Sequence, residues 1–520
     1  MKRTLYTLFT LAFLMLWSSC RKDFDFSPNT GSLQFSKDTV YLDTVFTNIG
    51  SSTYNLKVYN KSNHDILIPS IKLALGNTSN YRLNVDGIAG KTFDNIQILA
   101  KDSLFIFVET TIDINNFSNP DGEFLYTDQI EFDAGANLQK VELVTLVQDA
   151  VFIYPDRDNT TKIIETLKLD INGDQVETEL QGRELLPSEL TFTNEKPYVI
   201  YGFAAVPNGE TLTINAGARV HFHENSGLIV TAGATLKVNG NLSTDAELLE
   251  NEVIFESDRL EPNFENVPGQ WGTIWLFENS MNNSINYATI KNATIGILCD
   301  GNANVASEKL KITNSQIYNS SSFGLMGRNT SITGENMVIN NSGQASFAGT
   351  FGGKYNFTHC TIANYWNGSR QFPSVFLNNF ITDENDTAIV TDLTQANFNN
   401  CIIYGNDNPE ILFEEIEDAS VVFNFKFTNC LIRFDNRSNN FTGPNYDLND
   451  TNHYEGSIFN KNPHFKNTSL NQMIIGEDSA AISQGSSAFA SQVPFDILNV
   501  DRTTLTDLGA YQHITFPVED

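Results

Sequence analysis

Two groups of side chains in this 520-residue sequence have the composition to do chemistry, and both lie in its second half. Between Lys309 and Gln371 the cations Lys309, Lys311, Arg328, Lys354 and Arg370 face a single carboxylate, Glu335, inside a chain of net charge -30. With Tyr365 and Trp366 offering apolar ring faces, Arg328, Lys354 and Arg370 could line a groove for an anionic glycan. The same residues also read as scattered solvated charge, the reading favoured here, because only their positions around a coil decide whether they share a face. Downstream stand Asp383, Glu384, Asp386, Asp392, Glu410, Glu414, Glu415, Glu417 and Asp418. These acids could hold calcium, with Asp383 and Asp386 as weak ligand candidates, or supply a catalytic pair; solvated loop edges are the plainer reading. Glycoside cleavage needs two facing carboxylates, and a calcium-dependent lyase needs a carboxylate cluster with a Lys or Arg base. A stretch whose only acid is Glu335 can host neither, so any enzyme site belongs in the 365–418 loops. No phosphate-cradling glycine loop, nucleophile elbow or zinc motif is present, and no cofactor is expected unless calcium binds.

A different chemistry is written at the start. Lys2 and Arg3 precede an apolar run from Leu5 to Trp17, closed by Ser18-Ser19-Cys20, the layout of an export signal. Its small-residue end resembles a lipoprotein signal, which implies cleavage before Cys20, diacylglycerol on its sulfur and an acyl chain on its new amine. An ordinary secretory signal stays open. Arg21-Lys22-Asp23-Phe24-Asp25 lacks Asp directly after the cysteine and resembles the surface-export signal of lipoproteins in certain Gram-negative bacteria; a solvated tether reads as well. The resemblance implies an outer-membrane, lipid-anchored protein facing the cell surface, with the periplasmic face as the alternative. With 62 Asp and Glu against 32 Lys and Arg, nucleic acid is a poor partner.

The elements that would position these groups are short strands. From Leu33 to about Val151, alternating runs such as Val40–Phe46, Leu56–Tyr59 and Ser103–Val108 predict a sandwich of roughly seven strands. Asn172-Gly173 predicts a hairpin turn between Leu169 and Val176. From Tyr198 onward, strands broken by glycine at near-regular intervals read as successive sides of a solenoid coil. Ile290, Ile317, Ile339, Ile362, Ile403 and Ile432 are taken as equivalent inward positions, with gaps of 27, 22, 23, 41 and 29. Asn314, Asn336, His359, Asn400 and Asn429 stand three residues before the last five of these, and Ser315, Met337, Cys360, Cys401 and Cys430 two before. That register predicts a polar ladder beside a stack of small or soft side chains, so these cysteines and Cys299 should be free and buried. The long gap places an insertion between Asn364 and Phe398.

Phe35–Val40, Asp43–Thr47 and Asn84–Gly87 resemble an immunoglobulin-like domain found ahead of β-helices in bacterial surface lipoproteins. Gly269-Gln270-Trp271-Gly272-Thr273-Ile274 is similar to a turn common in those β-helices. Ser479–Ile482 with Asp507–Tyr511 resembles their terminal segment, expected here to cap the last coil. The resemblance implies an all-β protein: signal peptide 1–19, tether 20–31, immunoglobulin-like β-sandwich 32–151, transition 152–188, right-handed parallel β-helix of the pectin-lyase type 189–470, and terminal coil and cap 471–520. The leading functional expectation is a non-catalytic surface lipoprotein that binds a polysaccharide or cell-surface glycan, or displays structure. The alternative is a polysaccharide lyase or glycoside hydrolase.

Overall fold

The computed structural model describes residues 25–117, 123–171, 173–245, 248–301, 308–436 and 439–516. Cys20, the rest of the export segment and the Asn119–Gly122 turn lie outside them. The chain divides into two compact units on either side of Asp149/Ala150.

The first unit is a β-sandwich. One sheet orders its strands 27–28, 66–73, 123–132, 139–148 and 39–46, with 92–98 paired to 66–73; the other runs 34–35, 54–59, 103–110, 81–85 and 88–90. Strict alternation drives this arrangement: in Ser103–Thr110, Leu104, Ile106 and Val108 are buried while Phe105 and Phe107 face outward. Leu56, Val58, Ile68, Ile71, Val141 and Leu143 fill the space between the sheets.

The second unit is a parallel β-helix of three walls, followed around each coil in the order first, second, third. The first wall stacks eleven strands from Val151–Ile153 to Ile458–Phe459. The second opens with the hairpin of Thr166–Ile171 and Asp174–Glu184 and ends at Ile411–Glu414; the third runs from Thr191–Phe192 to Tyr454–Glu455. Parallel pairing therefore begins at Val151, earlier than the glycine-spaced strands indicated. The hairpin is where it was expected, and its second strand continues as a rung, Gly182–Glu184 pairing with Phe203–Ala205.

The isoleucine register holds throughout: Phe255, Ile290, Ile317, Ile339, Ile362, Ile403, Ile432 and Phe459 are successive partners up the first wall. The polar ladder sits at the corner from third to first wall. Asn314, Asn336, His359, Asn400 and Asn429 all adopt φ between 48 and 53°, and Gly217 and Gly456 take the same left-handed corner near the two ends of the stack. Asparagine tolerates that conformation better than most residues, and its amide can bond the next rung. Asn336 Nδ2 donates to Asn314 Oδ1 at 2.9 Å, and Asn400 Nδ2 lies 3.0 Å from His359 Nε2. Inside this corner Cys360, Cys401 and Cys430 are buried and free, with Cys360 N donating to Cys401 Sγ at 3.4 Å; Cys299, also buried and free, lies on the second wall. On the inner face of the third wall Phe357, Phe398, Phe427 and Tyr454 stack at 5.4, 4.7 and 5.6 Å between ring centroids.

The terminal segment differs from the expected cap. Met473, Ile497, Ala510 and Tyr511 pack on outward Val338 and Ala363, and Ile475, Ala481 and Leu508 on outward Ile402 and Leu431. It is a strap laid across the outer face of the first wall, because that face presents apolar side chains which water would otherwise cover.

Candidate functional site

The residues singled out from the sequence do not converge. Arg328 projects from the second wall, where it forms a bidentate pair with Asp300, whose carboxylate also accepts from Trp275 Nε1 at 2.7 Å. Lys354 is exposed on the third wall. Tyr365 is half-buried against the strap, its ring edge-on to Phe465 at 6.1 Å. Trp366 follows it in the loop after the first wall, its carbonyl accepting from Asn406 Nδ2 at 2.7 Å.

Arg370 is occupied otherwise. Its side chain is 1% exposed and grips Glu410, itself 0% exposed, through Nη2–Oε1 at 2.9 Å and Nη1–Oε2 at 3.2 Å. Ser374 N and Oγ, each at 2.8 Å, and Asp407 N at 2.9 Å complete the shell around that carboxylate. A carboxylate so held neither meets substrate nor exchanges a proton with it, and the pair instead staples the loop to the next coil.

The long gap also resolves differently. Val375–Asn378 is an ordinary rung of the second wall, and the true insertion is a hairpin of Phe380–Thr382 and Ala388–Val390. Asp383 Oδ1 accepts from Asn385 N and Thr387 N, both at 2.8 Å, which hold its carboxyl below the usual range. Asp386 is a turn residue with φ 59°. Asp392 accepts from Val422 N and Asp418 from Ser420 N, both at 2.8 Å. Asp383, Asp386 and Asp418 close local turns, whereas Asp392 ties its loop to the next coil. Among the described residues no group of three or more His, Cys, Asp or Glu is placed to hold a metal ion.

A site does form where the strap crosses the ladder corner. Tyr287, Lys311, Thr313, Asn314, Glu335 and Asn336 on the coils, with Gln492–Asp496 and Asn499 on the strap, enclose an open cleft of about 400 Å³. Three features define its chemistry. Lys311 Nζ and Glu335 Oε1 pair at 3.0 Å across adjacent rungs, giving a donor and an acceptor at the mouth. Amides of Gln492 and Asn499 add further hydrogen-bonding groups, while that of Asn314 is engaged by Asn286 and Asn336. Phe495 presents a ring 48% exposed to solvent. Its backbone is held by Asn336 Nδ2, which donates to Phe495 O at 2.9 Å, while Arg502 Nη2 donates to Asn336 Oδ1 at 3.0 Å. Both cleft carboxylates are committed: Glu335 to Lys311, and Asp496, only 2% exposed, to the N–H groups of Leu498, Val500 and Gln512. Burial pushes the Asp496 carboxyl above its usual range despite those three donors.

Sequence reasoning singled out Lys311, Glu335, Asn314 and Asn336 individually but missed Phe495, Gln492 and Asn499. No local signal marks them, since they reach the cleft only through the strap.

No family model matches the chain, and no curated protein matches it. Among solved structures, the catalytic domain of a family 87 α-1,3-glucanase in complex with nigerose is similar over 74% of this chain and 81% of its own, at 11% identity and a TM-score of 0.18. The E. coli chaperone DraB is similar over 29% and 80%, at 12% identity and 0.16. A PapD-like domain of a human protein is similar over 25% and 94%, at 10% identity and 0.15.

Proposed function

We propose that this chain is a surface-directed lipoprotein whose β-helix binds a carbohydrate chain, without cleaving it, in the cleft beneath the strap. The observation that carries the reading is the cleft itself: an exposed phenyl ring beside a rim of amides and an ion pair, with both carboxylates already engaged. A sugar ring has an apolar C–H face and a hydroxyl edge, and a site with one stacking surface and several polar groups matches both. Catalysis would require a facing acid and base, which neither the cleft nor the Arg370–Glu410 staple supplies.

Glycan-array and titration measurements on wild type and Phe495→Ala test the binding. Loss of about tenfold in affinity or more is expected for the variant, with no new reducing ends from bound polysaccharide. Release of product by the wild type would sink the non-catalytic reading.

The lipid anchor rests on the layout from Lys2 to Cys20. Several acyl chains give stable membrane attachment where one gives only marginal binding. Cys20→Ala should move the protein from the membrane to the soluble fraction, and protease added to intact cells should reach the wild type if it faces outward. The sandwich, read as immunoglobulin-like, then serves as spacer or adhesion module.

A further inference from the structure

The five-stranded sheet of the sandwich turns an unusual set of side chains to solvent. Phe105 and Phe107 are 45% and 43% exposed, and their rings lie parallel within 13° at 6.2 Å between centroids. Strand register fixes what surrounds them. Asn55 and Asn84 stand directly across from Phe107 on either side, and Lys57 directly across from Phe105. Lys57 Nζ lies 4.9 Å from the Phe105 ring centroid, and Lys61 Nζ 4.3 Å from that of Tyr59, which continues the face beyond Lys57. At the other end Glu109 pairs with Arg82 at 3.7 Å. Nothing in folding the sandwich requires phenylalanine at these two positions, because Leu104, Ile106 and Val108 already supply the strand's buried face.

We propose that this face is a second carbohydrate-binding site, a flat platform on which a polysaccharide chain lies. Sugar rings stack on Phe105 and Phe107, and the exposed amide of Asn55 bonds their hydroxyls, with the half-buried Asn84, its Oδ1 shielded from water, on the other side. The chemistry selects this occupant over a protein. A stable protein interface buries roughly 800 Å² on each partner around an apolar core. Here two half-exposed phenylalanines stand among amides, lysines and a glutamate, too little apolar area for such a core. A ring flanked on both sides by amides within side-chain reach is instead complementary to a molecule that alternates an apolar face with a hydroxyl edge. The proposal shares only its ligand class with the cleft reading, and the two sites can be altered separately.

The test uses the full chain and four insoluble matrices: starch granules, microcrystalline cellulose, chitin and xylan. Retention is compared for wild type, Phe105→Ala/Phe107→Ala, Phe105→Trp/Phe107→Trp and the cleft variant Phe495→Ala. The double alanine variant should be retained about tenfold less on a matrix that holds wild type and the cleft variant, and the tryptophan variant should restore retention. Thermal melts of the variants should match wild type, since both positions face solvent. Equal retention of the double alanine variant overturns the platform, as does absence of wild-type retention on all four matrices. So does self-association of wild type, by sedimentation, that the double alanine variant abolishes. Loss of retention by the double alanine variant on a matrix that still holds Phe495→Ala supports the platform alone, while the cleft stands or falls on its own titration with soluble glycans.

Discussion

His359 occupies a ladder position otherwise given to asparagine, with no solvent exposure and its Nε2 facing Asn400. Burial, reinforced by the Arg502 guanidinium, holds its pKa well below the ordinary value of 6.5. As pH falls through about 6.5 the unfolded chain takes up a proton that the folded imidazole refuses, so the unfolded state binds more protons and stability falls with pH. His359→Asn keeps the left-handed corner and the amide ladder but removes this titration. Its melting temperature should therefore depend less on pH between about 7 and about 5 than that of wild type, and parallel curves would contradict the account. Glu410 supplies a second residue-scale case. Arg370→Ala leaves that buried carboxylate unpaired and should cost about 3–5 kcal/mol by denaturant titration, far more than a surface ion pair.

The ladder is the element that ties coil to strap, and Asn336 is its busiest member. It bonds Asn314, Phe495 and Arg502 at once, with φ 52° and 4% exposure. Asn336→Gly should lose the bonds and keep the backbone, whereas Asn336→Ala should lose both. The alanine variant is then less stable than the glycine variant by about 1 kcal/mol, and the reverse order would refute left-handed strain as the reason for asparagine there. This element was legible in the sequence because five coils carry Asn or His three residues, and Ser, Met or Cys two residues, before the same isoleucine position, as in His359-Cys360-Thr361-Ile362. The strap was not. Val338, Ala363, Ile402 and Leu431 point outward beneath it, yet in sequence they stand beside or near inward isoleucines and look no different. Leu-Phe-Ile-Phe-Val is likewise apolar at every position, so the sequence does not say which of its two faces, that of Phe105 and Phe107 or that of Leu104, Ile106 and Val108, meets water.

At the scale of the molecule, each unit has a hydrophobic core of its own. Two thermal transitions are expected by scanning calorimetry. Ile106→Ala, which opens a cavity in the sandwich, should lower one by several degrees and leave the other in place; a single transition that shifts as a whole would show the cores to be coupled.

The strap also sets an order of events. Successive coils find one another across some 20–40 residues, as neighbours in a repeat array do, and can zip from any starting point. The strap bonds residues 149 to 195 positions earlier, through Ala510 to Thr361 and Tyr511 to Gln316, and has no seat until those coils exist. Closing so long a loop is the slow kind of contact. The cleft is thus completed late in folding: in a chain with every rung in place, Lys311 and Glu335 would still face open water until the strap brought Phe495 and Asn499 over them.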